Sequence, residues 1–333
     1  MKHEPFESFD PKSEVERICG FIRARLSSDL RRRGAVMGIS GGVDSSVCAA
    51  LCMKALGAAK VFGVLMPERE SSAASLELGR AVAERLGIAY RVQDITSTLE
   101  ALDCYGTRDR AIAESIPGYR AGWKQKVVIS GGLAGRFNHF KLVAQDPHGV
   151  EHEARLGLNQ YLSIVAATNY KQRVRKSVEY FHADRLNYAV VGTPNRLEYD
   201  QGFFVKNGDG SADIKPIAHL YKTQVYALAR FLDLPAAVCD STPTTDTYTL
   251  PQGQDEFFFA LPYRQMDRAL WAFDRGVPAE LAASGAGVPP EVMNHVYQDI
   301  QAKRRSARYL HAAPLLLHES PESTAARDAA AQS

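Results

Sequence analysis

The sequence has no long apolar run and no strong excess of charge of one sign. Residues 1–11 contain acids and no apolar core of signal-peptide length, and no later segment is an uninterrupted apolar span. We therefore expect neither secretion nor a membrane-spanning helix. Lysine and arginine total 40, against 38 for aspartate and glutamate. Because this balance creates no global field, we also expect no nucleic-acid partner and no attraction to an anionic membrane.

Cysteine is scarce, and the number and spacing of the cysteines argue against a disulfide framework and a CxxC motif. The five cysteines form no CxxC pair, and an odd number fits no complete set of disulfides. Cys48 and Cys52 lie four residues apart, but small buried hydrophobes explain them better than a pair of metal ligands. Reduced thiols predict a cytoplasmic protein.

The apolar pattern predicts an α/β fold. After a helix at 15–33, strands at 35–39, 61–66 and 90–92 alternate with helices at 45–56 and 71–86. Such alternation is typical of right-handed βαβ units, which build a doubly wound parallel sheet flanked by helices. With 333 residues and 45% hydrophobic content, the chain can bury a substantial core.

The middle of the chain has a different pattern. Between about 104 and 162, glycine, aromatic and β-branched residues predict an inserted β-hairpin with arms at 140–144 and 150–155, joined by a turn at Asp146-Pro147-His148-Gly149. Helices at 164–182, 219–232, 262–273 and 290–305 and a strand at 188–191 complete a single domain over 12–318. Residues 319–333 have little to bury, which predicts a disordered tail.

The most informative segment lies between the first strand and the helix after it. It consists of Ser40, Gly41, Gly42, Val43, Asp44, Ser45 and Ser46. Two glycines at a helix start let backbone N–H groups approach an anion, and the helix dipole and three hydroxyls add to the attraction. A glycine turn with Asp and Ser as helix caps would also explain these residue types. The strand before, the helix after and the acid inside favour a pyrophosphate loop.

Asp44 has a separate predicted task in this loop. A carboxylate beside phosphates would repel them unless a divalent cation lay between, so Asp44 is interpreted as a Mg²⁺ ligand. The loop lacks the GxxxxGK[ST] spacing and has no lysine of its own, so it is no Walker A loop. Cations must come from elsewhere in the chain. A second loop, Gly192-Thr193-Pro194-Asn195, follows the strand at 188–191 and is expected to face the first across the ligand crevice.

Taken together, these motifs resemble those of the NAD synthases, in the N-type ATP pyrophosphatase superfamily, whose fold is adenine nucleotide alpha hydrolase-like. The resemblance covers roughly 15–305, apart from the hairpin region. The motifs occur in family order: the loop at 40–46, Met66-Pro67 with Ser71-Ser72, Asn169-x-Lys171-x-Arg173-x-Arg175, Gly192-Thr193 with Glu198, Lys206-Asn207-Gly208-Asp209-Gly210 with Ala212-Asp213, Leu220-Tyr221-Lys222-Thr223-Gln224, and Pro243-Thr244-Thr245-Asp246.

The resemblance implies a carbon–nitrogen ligase that converts deamido-NAD to NAD with ATP and Mg²⁺. The substrate carboxylate would attack the α-phosphorus of ATP, pyrophosphate would leave, and ammonia would displace AMP. Asp44 and Glu198 would share Mg²⁺ with phosphate oxygens, with Thr244 as a third ligand. Lys206 and Lys222 would neutralise the triphosphate, whereas without the motif context each would be an ordinary solvated lysine.

Further residues follow from the same resemblance. Thr193 and Arg173 would contact the nucleotide; a helix would splay Arg173 and Arg175, so that one of them holds a neighbouring element. Asp209 would hold ammonium and accept its proton, or would only form a turn. Asp213 would contact ribose or cap local structure.

The resemblance also implies a homodimer with deamido-NAD at its interface. The segment before the loop is too short for an amidase domain, so we expect free ammonia as nitrogen donor, while a separate glutaminase partner stays open. The hairpin insertion and the run Phe257-Phe258-Phe259 depart from the family pattern. They leave open a ligase for another carboxylate, such as a sugar acid. An RNA-modifying enzyme would need a cysteine pair or an RNA-binding appendage, and an inactive scaffold has no need for the charged motifs.

Overall fold

The centre of the molecule is a parallel β-sheet flanked by helices. The structure is a computed structural model that describes residues 6, 8–130, 139–241, 248–250, 253, 258–259 and 261–317. The sheet has the order β3-β2-β1-β7 and consists of β1 (Ala35–Gly38), β2 (Val61–Leu65), β3 (Ala89–Val92) and β7 (Ala189–Val190). A bridge between Val191 and Ile214 extends it beyond β7. The predicted doubly wound α/β fold is confirmed.

Helices cover both faces of this sheet because successive strand residues point to opposite sides. Ala35 and Met37 pack into a core with α1 (Pro11–Ala24), α2 (Val43–Leu56), α3 (Ala73–Arg85) and α8 (Lys222–Phe231). Val36 packs on the other side against α6 (Leu158–Leu186). The sheet is thus buried on both faces, as parallel sheets usually are.

Three of the remaining helices form a separate group with its own core. On the C-terminal side of the chain, α10 (Tyr263–Asp274), α11 (Ala279–Ala286) and α12 (Pro290–His311) surround their own core of Met266, Leu270 and Met293. The short helices are α4 (Thr96–Ala101), α7 (Arg196–Gln201) and α9 (Ala236–Cys239), with a 3₁₀ turn at Ala58–Lys60.

The predicted hairpin is confirmed as part of a three-stranded antiparallel sheet. Its strands are β4 (Lys124–Ser130), β5 (His139–Gln145) and β6 (Glu151–Arg155), in that order. Gln145 pairs with Glu151, and the Gly149 amide donates to the Asp146 carbonyl at 3.0 Å, which closes the predicted turn. The sequence interpretation missed β4 and the helix α5 (Cys104–Ser115).

The N-terminal helix is shorter than predicted. It ends at Ala24 and continues as a π-helical turn over Arg25–Asp29. The Ser27 hydroxyl donates to the Arg23 carbonyl at 2.8 Å, a local bond that competes with regular helix geometry. Arg31 then takes a positive φ of 50° and stops the helical path.

All five cysteines are buried and unpaired, in agreement with their interpretation as small hydrophobes. None of the helices in the described part of the chain combines the length and the apolar character that crossing a membrane requires.

Candidate active site

The loop between β1 and α2 has the backbone form that the sequence predicts. Gly41 has a φ of +84°, and a Cβ at this position would lie 2.5 Å from the Ser75 carbonyl oxygen. Only glycine fits such a site without strain. Gly42 is the N-cap of α2, and no side chain in the described residues caps it. The first amides of α2 therefore remain available to an anion, with the positive end of the helix dipole behind them.

Serine hydroxyls hold this loop in shape. Ser46 Oγ donates to the Gly42 carbonyl at 2.8 Å, and Ser45 Oγ donates to the same oxygen at 3.0 Å. The Ser40 amide in turn donates to Ser45 Oγ at 3.3 Å. The loop is thus preorganised by its own side chains, which lowers the cost of ordering it around phosphates.

Asp44, at the second position of α2, faces a buried cation. Lys222 Nζ donates to one carboxylate oxygen of Asp44, and Asn195 Nδ2 donates to the other at 3.2 Å. Lys222 is only 2% exposed. Burial lowers the pKa of this lysine, but the charges of Asp44 and Glu198 outweigh burial, so the pKa lies above its ordinary value. Lys222 therefore stays protonated beside the phosphate loop.

A capping box positions Glu198 near the Asp44–Lys222 pair. Asn195 Oδ1 accepts from the Glu198 amide at 3.2 Å, and the Glu198 carboxylate accepts from the Asn195 amide at 3.2 Å. Asn195 thus caps α7 and contacts Asp44 at once. The sequence interpretation gave Asn195 no role of its own, although the Asn-x-x-Glu spacing is a signal for this cap.

Asp267 is a further site residue that the sequence interpretation missed. Its carboxylate accepts from the Lys222 amide at 3.2 Å, from the Thr223 amide at 2.7 Å and from Thr223 Oγ1 at 2.6 Å. It therefore caps α8 and fixes the residue that bears the buried ammonium. Burial raises its pKa to about 6, although hydrogen bonds from Thr223 oppose the shift. No local sequence signal joins α10 to α8.

Lys206 does not lie in this cluster. Its Nζ donates to the Tyr309 carbonyl at 2.8 Å and to the Ala312 carbonyl at 3.0 Å, at the end of α12. The negative end of the helix dipole suits a cation there. Arg173 Nε donates to the Lys206 carbonyl at 3.3 Å, whereas Arg175 Nε donates to the Met66 carbonyl at 3.5 Å. The two arginines have different partners, in agreement with their spacing.

The predicted aspartates have local partners in the structure. Asp213 accepts from the Val190 amide at 2.7 Å and so caps the strand β7. Asp209 accepts from the Val205 amide at 2.8 Å, which closes its turn. Thr193 is half-buried in the loop after β7. Thr244 and its Pro243–Asp246 motif lie outside the described residues, so the ligand role of Thr244 stays a prediction.

The aromatic run that departs from the family pattern is used in packing. Phe258 lies 4.7 Å from the Phe203 ring, and Phe259 is 3% exposed in the core around α10 to α12; Phe257 is outside the described residues. Lys303 lies over Phe258 and pairs with Asp299 at 2.5 Å. Within the described part of the chain, no group of three or more His, Cys, Asp or Glu side chains is placed to hold a metal ion.

The glycine loop and the loop after β7 meet where the strand order reverses between β1 and β7, the usual ligand crevice of open α/β sheets. Fold and site thus define a nucleotide-binding protein of the adenine nucleotide alpha hydrolase-like class. A family model described as NAD synthase matches residues 14–115 and 148–308. The chain belongs to the NAD synthase family.

Individual relatives agree with this assignment. The chain is 53% identical over 309 residues to the NH(3)-dependent NAD(+) synthetase of Rhizobium meliloti (strain 1021), with 92% of each chain covered. It is 52% identical over 310 residues to the protein of that name from Mesorhizobium japonicum, covering 93% of this chain and 97% of the relative. The structure of NMN synthetase from Francisella tularensis matches with a TM-score of 0.64 and 21% identity, covering 93% of this chain and 100% of that one, a likeness of fold.

Proposed function

We propose that this protein converts deamido-NAD to NAD with ATP and ammonia, through an acyl-adenylate and with release of AMP and pyrophosphate. The observation that carries the proposal is the Asp44–Lys222 pair at the phosphate loop of a chain that belongs to the NAD synthase family. The named relatives, which match nearly the whole chain, support ammonia as the nitrogen donor.

The chemistry requires alignment and charge neutralisation. The substrate carboxylate attacks the α-phosphorus of ATP, the bond to the β-phosphate breaks, and pyrophosphate leaves. Ammonia then attacks the acyl carbon, and AMP departs with the former carboxylate oxygen. Amides at the start of α2 bind the departing pyrophosphate, and buried Lys222 neutralises its charge. No covalent bond to the protein is needed, because orientation alone supplies much of the rate.

Asp44 and Glu198 are the residues that would hold Mg²⁺. Both are oxygen donors of the kind that Mg²⁺ prefers, and Asn195 joins them through its side chain and its backbone. Asp44 already attracts the Lys222 ammonium, so the position is one where a cation is stabilised. A bound Mg²⁺ would supply charge stabilisation to the phosphates. Thr244 would add a third ligand, as the resemblance implies.

Ammonium would be held near the acyl-adenylate by Asp209, which would also accept its proton. The role follows from the family motif around Asp209. Lys206 would add charge to the triphosphate after leaving the carbonyls of α12, and Arg173, whose guanidinium bonds to the Lys206 carbonyl, would move with it toward the nucleotide. Thr193 would contact the nucleotide from the loop after β7, and Asp213, beside the bridge between Val191 and Ile214, would contact its ribose.

We further propose that the protein is a homodimer with deamido-NAD at the interface. Leu158 and Leu162 support this proposal, because these apolar residues lie one turn apart on α6 and are 71% and 52% exposed. Light scattering of the wild type and of a Leu158→Glu, Leu162→Glu variant tests it: a dimer that becomes a folded monomer is expected, and a wild-type monomer contradicts it.

The test of the function measures pyrophosphate release with MgATP and ammonium, with and without deamido-NAD, and detects NAD by mass spectrometry. We expect release that depends on deamido-NAD, with an equal amount of NAD. Lys222→Met is the matched control, since it removes the buried charge at similar side-chain length. Bound ATP without either product would instead indicate a ligase for a different carboxylate.

A further inference from the structure

A buried cluster of charges joins α6 to the loop that follows β2. Lys171, 4% exposed, donates to Glu68 at 3.0 Å and to Glu70 at 2.6 Å. Glu68 is itself 4% exposed. Buried ions are stable only with close partners of opposite charge, so each of these three groups depends on the others.

Helix α5 completes the cluster. Tyr105 donates to the second oxygen of Glu68 at 2.5 Å, and Arg108, 5% exposed, donates to Glu70 at 2.6 Å. Burial raises the pKa of Glu70, but Arg108 and Lys171 lower it to about 2, so Glu70 is ionised at neutral pH. Hydrogen bonds and ion pairs from α5 and α6 therefore hold the loop after β2.

This loop is mechanically connected to the phosphate loop. Within the loop after β2, Ser71 Oγ accepts a hydrogen bond from the Glu68 amide at 3.0 Å. Helix α3 begins two residues after Ser71. The first turn of α3 contains Ser75, whose carbonyl oxygen lies against Gly41. A displacement of the loop would thus move the wall on which the phosphate loop packs.

Helix α6 holds the loop at a second point. Arg175, one turn after Lys171, donates to the carbonyl of Met66, the first residue after β2. Met66 and the phosphate loop lie at the same edge of the sheet, because β1 and β2 are parallel neighbours. Arg175 on α6 therefore holds the start of this loop in place on the nucleotide side of the crevice.

We propose that Lys171 is a positioning residue for the nucleotide site. By binding Glu68 and Glu70 it fixes the loop after β2 and the first turn of α3, and through them the shape of the phosphate loop. The inference rests on the proposed function, because that loop must bind the phosphates of ATP. Lys171 itself touches no reacting group.

If Lys171 had a purely structural role, its replacement would lower the stability of the protein and leave ATP binding unchanged. Two variants distinguish this role from positioning. Lys171→Met leaves a buried carboxylate without its partner, so we expect it to lower stability and to weaken ATP binding. The double variant Lys171→Met, Glu68→Gln restores the net charge of the cluster, because it neutralises the carboxylate that loses its cation and leaves Glu70 paired with Arg108. We expect it to regain most of the stability but to keep a KM for ATP raised about tenfold or more, which corresponds to about 1.4 kcal/mol, with kcat changed less.

The control is Met293→Ala, a cavity in the separate core of α10 to α12. It should destabilise the protein without changing the KM for ATP. ATP binding is also measured by calorimetry, which does not depend on the second substrate, so that failure of the proposed amidation is distinguished from failure of the positioning role. Wild-type ATP affinity in the double variant would overturn the proposal, and so would a raised KM in Met293→Ala.

Discussion

Asp267 provides a prediction whose magnitude follows from the structure. This residue is 1% exposed, and its carboxylate accepts three hydrogen bonds at the start of α8, next to Lys222. The variant Asp267→Asn keeps the size of the side chain but removes its titration. It therefore isolates the cost of maintaining this buried carboxylate in its charged form.

The pKa of Asp267 rises from 3.8 to about 6 on folding, mainly because of burial. The native state thus holds this proton more tightly than the unfolded state does. Its contribution to stability is fully present below pH 3.8 and is lost as the pH rises through about 6. The loss amounts to about 3 kcal/mol in total. Between about pH 4 and pH 7, the free energy of unfolding of the wild type should fall by about 2 to 3 kcal/mol relative to the variant.

Urea unfolding, followed by circular dichroism at several pH values, measures this difference. Other titrating groups are present in both proteins, so their effects cancel when the two curves are subtracted. Asp240→Asn is the control, because the Asp240 side chain is 75% exposed and should give a profile parallel to that of the wild type. A difference between wild type and Asp267→Asn that stays constant with pH would refute the reasoning.

Three further predictions concern the site and its support. Lys222→Met should lower kcat by about 10² to 10³, as loss of one charge-stabilising donor does, and initial rates of pyrophosphate release measure it; a loss below threefold would remove Lys222 from the machinery. Gly41→Ala should destabilise the protein by about 1–3 kcal/mol and raise the KM for ATP, since φ is +84° and the Ser75 carbonyl is close; unchanged thermal unfolding would contradict the strain. Glu70→Gln should make the free energy of unfolding depend less on pH between about pH 4.5 and pH 2. The lowered pKa of Glu70 stabilises the wild type above this range, and that stability is lost as the pH falls. Titration at fixed urea, followed by circular dichroism, tests this, and a profile parallel to that of the wild type would contradict it.

The parallel sheet could be predicted because its signals are local. Each strand and helix between 35 and 92 has its own apolar period, and β-turn residues mark the hairpin of β5 and β6. Helix α5 was missed although its buried residues recur at helical spacing, because Tyr105, Gly106 and Thr107 have low helix propensity. Strand β4 needs β5 as a partner, and its pairing is not visible in its own sequence.

The candidate site also contains parts that local sequence predicts and parts that depend on distant segments. The loop at 40–46 could be predicted from consecutive residues, since strand, glycines and helix start occur in order. The pairing of Asp44 with Lys222 depends on the meeting of α2 and α8, and only the family motifs pointed to it. Asp267 and the partners of Lys206 lie on helices far along the chain, and their contacts arise from packing that no local pattern encodes.

The strand order also has a consequence for the time at which the site forms. Ala35 pairs with Ala189, and nearly half of the chain lies between these two residues. During synthesis the β1–β2–β3 part can assemble early, whereas the crevice at β7 must wait until α6 has left the ribosome. Lys222 and Asp267 arrive later still. Pairings between distant segments slow folding, so the crevice is expected to be among the last parts of the protein to become native.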